Sequence, residues 1–138
     1  MPLSANFAPE TQTKPLLLCL SHLRWDSVVQ RPHHLMRLAS ESFRVVYWEE
    51  PLEVAPSLDL PKLLTRLSPD GVLVATPLLA PGSNMVAAEG ELVQMLDALL
   101  AELGGELEVT WFYTPMMLPL AAHLRPNTTV FDLSLIHI

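Results

Sequence analysis

Cysteine is almost absent. Cys19 is the single one in 138 residues, so neither a disulfide framework nor a thiolate metal set can be built. It lies in the apolar run 16–20 and reads as a small buried residue of a protein from a reducing, cytoplasmic setting. Basic residues are few, eight Lys and Arg against fifteen Asp and Glu, and they are scattered. That leaves no basic stripe for nucleic acid. No apolar run approaches the ~18–20 residues that span a bilayer. The first fifteen residues lack the basic head and apolar centre of a secretion signal; Pro2, Pro9 and Pro15 stand there among polar residues. Glycine is scarce, five in all, and neither a Gly-x-Gly loop nor the Walker lysine pattern occurs, so no phosphate cradle is offered.

What is present is apolar. Half the residues are hydrophobic, 17% are charged and mean hydropathy is +0.31. That composition builds a core and gives no basis for disorder, and the length fits one domain. Residues 1–14 read as a flexible leader. Leu16–Leu20 is continuously rather than alternately apolar, which predicts a strand buried on both faces. After the polar and aromatic loop 21–26, a helix is expected at about 32–41, with Leu35, Leu38 and Ala39 as its stripe. Ser27 and Gln30 have capping-box spacing, and Pro32 suits a first helical position. Arg44–Trp48 is β-branched and aromatic, a second strand closed by Glu49-Glu50-Pro51. Residues 52–71, broken by Pro56, Pro61 and Pro69, read as an irregular crossover with one helical turn. A third strand is expected at 72–75, before a loop marked by Pro77, Pro81 and Gly82.

The clearest helix is 84–103. Leu92, Leu96, Leu99 and Leu103 recur at helical spacing, with Gln94 and Asp97 opposite, and Gly104-Gly105 makes a left-handed ending. Val109–Tyr113 is the fourth strand, Thr114 the N-cap of a short helix at about 116–124, and Thr129–Phe131 the fifth strand. Strands alternating with helices predict an α/β domain: about five mostly parallel strands, helices on both faces and right-handed crossovers. Ligands bind such sheets at the carboxyl ends of the strands. That places Ser21–Asp26, Glu49–Glu50, Thr114–Met116 and Asp132 on the functional edge. Leu133–Ile138 has no cap and no turn. It resembles the translation of the transposon-end oligonucleotide CTGTCTCTTATACACATC, so residues 133–138 are expected to be a non-native tail, and His137 is set aside as a catalytic residue.

Two stretches resemble a known family. Ser21-His22-Leu23-Arg24-Trp25-Asp26-Ser27-Val28-Val29-Gln30-Arg31-Pro32-His33-His34-Leu35, followed by Val45-Val46-Tyr47-Trp48-Glu49-Glu50-Pro51, is similar to the start of bacterial glycosyltransferases of the two-domain GT-B architecture. The later Trp111-Phe112-Tyr113-Thr114-Pro115-Met116, Leu118-Pro119-Leu120 and Val130-Phe131-Asp132 resemble the family's fourth and fifth strands. Family members often carry Gln where His33 stands, and continue with Cys and an acidic pair after the position of Asp132. The resemblance implies that 15–132 is the incomplete N-terminal, acceptor-side, Rossmann-like half of a bacterial enzyme of polysaccharide biosynthesis. Such an enzyme moves a sugar, with retention or inversion, from a nucleotide-sugar to a cell-envelope or polysaccharide acceptor. The fragment is expected to be inactive alone. No cofactor and no metal is implied. The nucleotide-sugar is a co-substrate held by the missing half, the acceptor is a sugar or a lipid-linked sugar, and the setting is cytoplasmic, extending to the inner face of the membrane by peripheral association.

On that reading Arg24, Trp25, Arg31, Tyr113 and Thr114 are acceptor-binding candidates, and His22, Asp26 and Asp132 are candidates for catalysis. Each has a plainer alternative. Arg31 holds a ligand phosphate or hydroxyl, or bonds the loop backbone. Trp25 stacks on a sugar or anchors its loop. Asp26 is a base or a helix cap. His22 carries an imidazole, a common general base, and is the candidate to activate an acceptor. Glu49 and Glu50 are solvated or bond the loop. Adjacent on a helix, His33 and His34 diverge by about 100° and do not suit one metal. Met116 and Met117 read as core. Two rival functions remain: a non-enzymatic Rossmann-like binding module, and a nicotinamide oxidoreductase, which the missing Gly-x-Gly-x-x-Gly weakens.

Overall fold

The computed structural model describes residue 7 and residues 11–26, 31–56, 60–83 and 87–132, apart from the side chains at 31 and 32. Its elements in chain order are β1 (Leu16–Leu20), α1 (Arg31–Ala39), β2 (Arg44–Trp48), β3 (Leu52–Glu53), β4 (Lys62–Leu67), β5 (Leu73–Leu79), α2 (Glu89–Leu103), β6 (Leu107–Phe112), a 3-10 turn at Pro115–Met117, α3 (Leu118–Ala121) and β7 (Thr128–Phe131). The expected capping pair Ser27 and Gln30 and the tail 133–138 lie outside the described residues.

One seven-stranded sheet forms, and β1 sits at its middle. β1 pairs in parallel with β2 on one side and with β6 on the other. β2 leads on to β5, and β6 to β7, again in parallel. The mostly parallel α/β arrangement is therefore present. It arises because the central strands are apolar at nearly every position, Arg44 of β2 and Thr76 of β5 excepted; β1, β2 and β5 are buried along their whole length, as parallel strands covered on both faces must be.

Residues 52–71 differ from expectation. Here β4 runs antiparallel along β5, from Lys62↔Leu78 to Leu67↔Leu73, and no helix forms among the described residues. β5 also continues to Leu79 through Pro77, where a loop was expected. Proline donates no ladder hydrogen bond, yet the strand tolerates it because its other edge is open there: β2 pairs only as far as Trp48↔Ala75, and β3 resumes at Leu52↔Leu78. The prolines at 61 and 69 bound a short edge strand rather than break a helix.

Two apolar layers flank the sheet. On one face Leu16, Leu18, Leu20, Val46, Trp48, Leu73 and Ala75 meet Leu92, Leu96, Leu99 and Leu103 of α2 and Leu120 and Ala121 of α3. Each leucine so covered contributes about 1.5–3 kcal/mol. Phe7, from the expected leader, packs into this layer and is 6% exposed. On the other face Leu17, Cys19, Val45, Tyr47 and Val74 meet Met36 and Trp25. Helix α1 covers that face with His33 and Met36, while Leu38, assigned to its stripe, is 65% exposed. Met117 is core as expected, but Met116 is 60% exposed.

The far end of the domain is tied by Arg44, which is 2% exposed. Its guanidinium donates to the carbonyls of Lys14 (2.7 Å), Leu103 (2.9 Å) and Gly104 (2.8 Å). A cation therefore closes the carboxyl end of α2, where the helix dipole is negative. Gly104 and Gly105 adopt φ of +68° and +88°, and a methyl on Gly105 would collide with the Arg44 guanidinium. The predicted double-glycine ending is thus both a left-handed turn and a close approach.

Candidate functional site

Strand register aligns the candidate residues along one edge. Leu20 is level with Trp48 and with Phe112, and Phe112 with Phe131. The next residues, Ser21, Glu49, Tyr113 and Asp132, continue the ladder through Ser21 N–H to Trp48 O, Tyr113 N–H to Leu20 O and Asp132 N–H to Phe112 O, at 3.1, 2.9 and 2.8 Å. From β1 the chain crosses to β2 on one side, while β6 and β7 lie on the other. The strand order reverses between β1 and β6, and a crevice opens at such a reversal. The residues that follow the two strands at this reversal are Ser21–His22 and Tyr113–Thr114.

The loop after β1 leans away from that crevice, over β2 and β5. Its hub is Glu49, which is 4% exposed. One carboxylate oxygen accepts from the Trp25 N–H at 2.6 Å. The other accepts from the Thr76 hydroxyl and faces the Arg24 guanidinium at 3.4 Å. Arg24 also donates to the carbonyls of Glu50 and of Pro51. Burying a carboxylate costs several kcal/mol unless donors replace water, and these three donors do so. Asp26 is exposed and pairs with Arg66 of β4 at 2.7 Å.

Trp25 is 7% exposed. Its ring stacks 4.7 Å from His33 and meets Tyr47 edge-on at 5.0 Å. His33 donates to the Trp25 carbonyl at 2.6 Å, and the Tyr47 hydroxyl donates to the Leu23 carbonyl at 2.9 Å. The indole is spent on anchoring its loop. Burial, and secondarily Cys19, Glu49 and Tyr113, push the Tyr47 hydroxyl well above its ordinary pKa, so it stays protonated.

The structure thus sorts the candidates into two groups. Arg24, Trp25 and Asp26 bond toward β2, β5 and β4. Tyr113, Thr114 and Asp132 follow β6 and β7, where Tyr113 and Thr114 are buried. The Thr114 hydroxyl accepts from the Met116 N–H at 3.2 Å and caps the 3-10 turn as expected. Arg31 opens α1, whose amino end returns from this same edge, but its side chain lies outside the described residues. His22 is half-buried, and its Nδ1 is enclosed without a hydrogen-bond partner among the described residues. His33 is buried and His34 exposed, and no group of three metal-ligating side chains occurs among the described residues. Thr76 carries no site signal in the sequence, because Pro77 and Pro81 mark its segment as a loop while the structure makes it part of β5. The apolar run 72–75 carried on by Thr-Pro-Leu-Leu was the available signal.

A separate groove of about 230 Å³ runs along α3 and β7 on the face of the sheet. Thr110, Phe112, Leu118, Ala122 and Phe131 line it. Its lining mixes apolar side chains with Thr110 and Thr129 and holds none of the candidate residues.

No family model matches the sequence, and no curated protein is similar to it. Among solved structures, the chain is similar to a trehalose-6-phosphate synthase from E. coli bound with UDP-2-fluoro glucose, a GT-B glycosyltransferase. The TM-score is 0.54 at 13% identity, over 84% of this chain. This chain spans about a third, 32%, of that structure's length. The likeness shows the fold alone, a Rossmann-like, mostly parallel α/β sheet. No described helix is long and apolar enough to cross a membrane.

Proposed function

We propose that residues 15–132 form the acceptor-side half of a two-domain sugar transferase. In this reading the acceptor lies in the crevice between Ser21–His22 and Tyr113–Thr114. The observation that carries it is the register that brings four strand ends level at the reversal of strand order, on a fold shared with a nucleotide-sugar enzyme. His22, at the head of the loop after β1, is the candidate to take the acceptor proton. Arg31 and Asp132 flank the crevice from α1 and β7. Arg24, Trp25 and Asp26 act through the shape of their loop. The nucleotide-sugar belongs to a second domain outside this chain. On the same reading the acceptor is a sugar or a lipid-linked sugar and the enzyme works in the cytoplasm.

The experiment is an amide chemical-shift titration of the chain with glucose, glucose 6-phosphate and octyl glucoside. Saturable shifts at residues 21–24, 113–114 and 132 are the expected result. Shifts confined to the groove beside α3, or no shifts with any of the three, overturn the acceptor reading and leave a binding module of another kind.

A further inference from the structure

We infer that Glu49 is the positioning residue of this site, a single buried carboxylate that holds the loop after β1 against β2 and β5 and so sets where His22, at the head of that loop, stands. The inference rests on the acceptor reading for its functional consequence, though not for its structural one. Glu49 is 4% exposed, so it cannot touch an acceptor. What it does is join the carboxyl ends of β1 and β2 to the middle of β5. It belongs to the end of β2, takes the Trp25 N–H and the Arg24 guanidinium from the loop after β1, and takes the Thr76 hydroxyl from β5. Thr76 lies in the stretch of β5 between the end of its pairing with β2 and the start of its pairing with β3. A polar side chain there is free to reach across to the carboxylate.

The loop has few other supports of this kind. Leu23 N–H bonds the Ser21 hydroxyl at 3.0 Å within the loop, and Leu23 O and Trp25 O accept from Tyr47 and His33. Those bonds fix carbonyls and one turn. Glu49 holds the Trp25 amide and shares the Arg24 head with the carbonyls of Glu50 and Pro51. A neutral amide in place of the carboxylate presents one acceptor and one donor where three donors converge, so at least one donor is opposed. His22 and Leu23 sit between Ser21, held by the sheet, and Trp25, held by Glu49. Releasing one end therefore moves His22 while the sheet stays intact.

The test uses the 138-residue chain with Glu49→Gln, Thr76→Val and Thr76→Ser. Amide hydrogen exchange is read at Leu23 and Trp25 and, as internal reference, at Leu18 and Val46 in β1 and β2. Glu49→Gln should speed exchange at Trp25 by roughly 10- to 100-fold, the loss of charge-assisted bonds to a buried group. Thr76→Val should do so less, and Thr76→Ser should stay at the wild-type rate, with Leu18 and Val46 within about threefold throughout. Affinity for glucose 6-phosphate should fall in the same order. Unchanged Trp25 exchange in both Glu49→Gln and Thr76→Val overturns the inference, as does an equal rise at all four amides, which would mark general loosening. Should glucose 6-phosphate not bind the wild type, the exchange order still decides the role of Glu49, and the acceptor reading alone falls.

Discussion

Replacing Arg44 by Met removes a buried cation while keeping the length of its stem. Three hydrogen bonds are lost, to the carbonyls of Lys14, Leu103 and Gly104. Bonds from a charged donor contribute about 1.5–3 kcal/mol each. Against that, the folded state no longer strips water from a guanidinium, which costs several kcal/mol and draws the Arg44 pKa below its ordinary value. The Leu103 and Gly104 carbonyls lie at a helix end and recover water in part. The net loss is about 2–4 kcal/mol. At ~2.1 cal/mol/K per residue, 138 residues give an unfolding entropy near 0.29 kcal/mol/K, so Tm should fall by about 7–14 °C. Arg44→Lys, which keeps the charge but not the planar fork, should fall by roughly half as much. Thermal and urea unfolding followed by circular dichroism measure both. An Arg44→Met melt within about 2 °C of wild type would refute the view that this cation ties β2 to α2.

Gly105→Ala should destabilise by more than the ~1–2 kcal/mol of left-handed strain alone, because its methyl meets Arg44, whereas Gly82→Ala, at φ +85° in open space, should show the strain only. In the double variant with Arg44→Met, the Gly105→Ala cost should shrink to that of Gly82→Ala, a non-additivity that equilibrium unfolding reads directly. Stability should also fall on the alkaline side. Burial raises Cys19 above its ordinary 9.0 and Tyr47 above 10.0, so above those values the unfolded chain gives up protons that the folded chain keeps. Their contribution is complete below about pH 9 and is lost as pH rises past 9 and 10, with Tyr47→Phe and Cys19→Ala flattening that decline in pH-dependent urea titrations.

The central sheet was legible because burial on two faces leaves a plain trace: Leu16–Leu20 and Arg44–Trp48 are nearly all apolar and stand between turn signals. Helix α2 was legible through four leucines at helical spacing and the glycine pair after them. β4 was not. Being an edge strand, it alternates weakly, with Leu64 and Leu67 left 51% and 40% exposed, and prolines at 61 and 69 read as breakers when they are its boundaries. For the site, strand ends were enough to locate an edge, since sheet topology fixes it. Which residues face the ligand was another matter. Arg24 and Asp26 look available in sequence, yet they find Glu49 and Arg66, partners 25 and 40 residues away. A polar residue's partner across a sheet depends on strand order, and β4 and the far end of β5 were missing from the expected one.

The central claim is that this domain supplies the acceptor half of a sugar transferase and that donor chemistry lies elsewhere. The most direct measurement is nucleotide release from UDP-, GDP- and dTDP-sugars, made in parallel on this chain and on the protein encoded by the parental gene read onward from the Asp132 codon. Holding donor and acceptor in one cleft is worth roughly 7–11 kcal/mol at best, and a single half cannot supply it. The account predicts no release by the chain alone, and acceptor-dependent release by the longer protein. Transfer by the monomeric 138-residue chain, or a longer frame that adds no second α/β domain and no transfer, would contradict it.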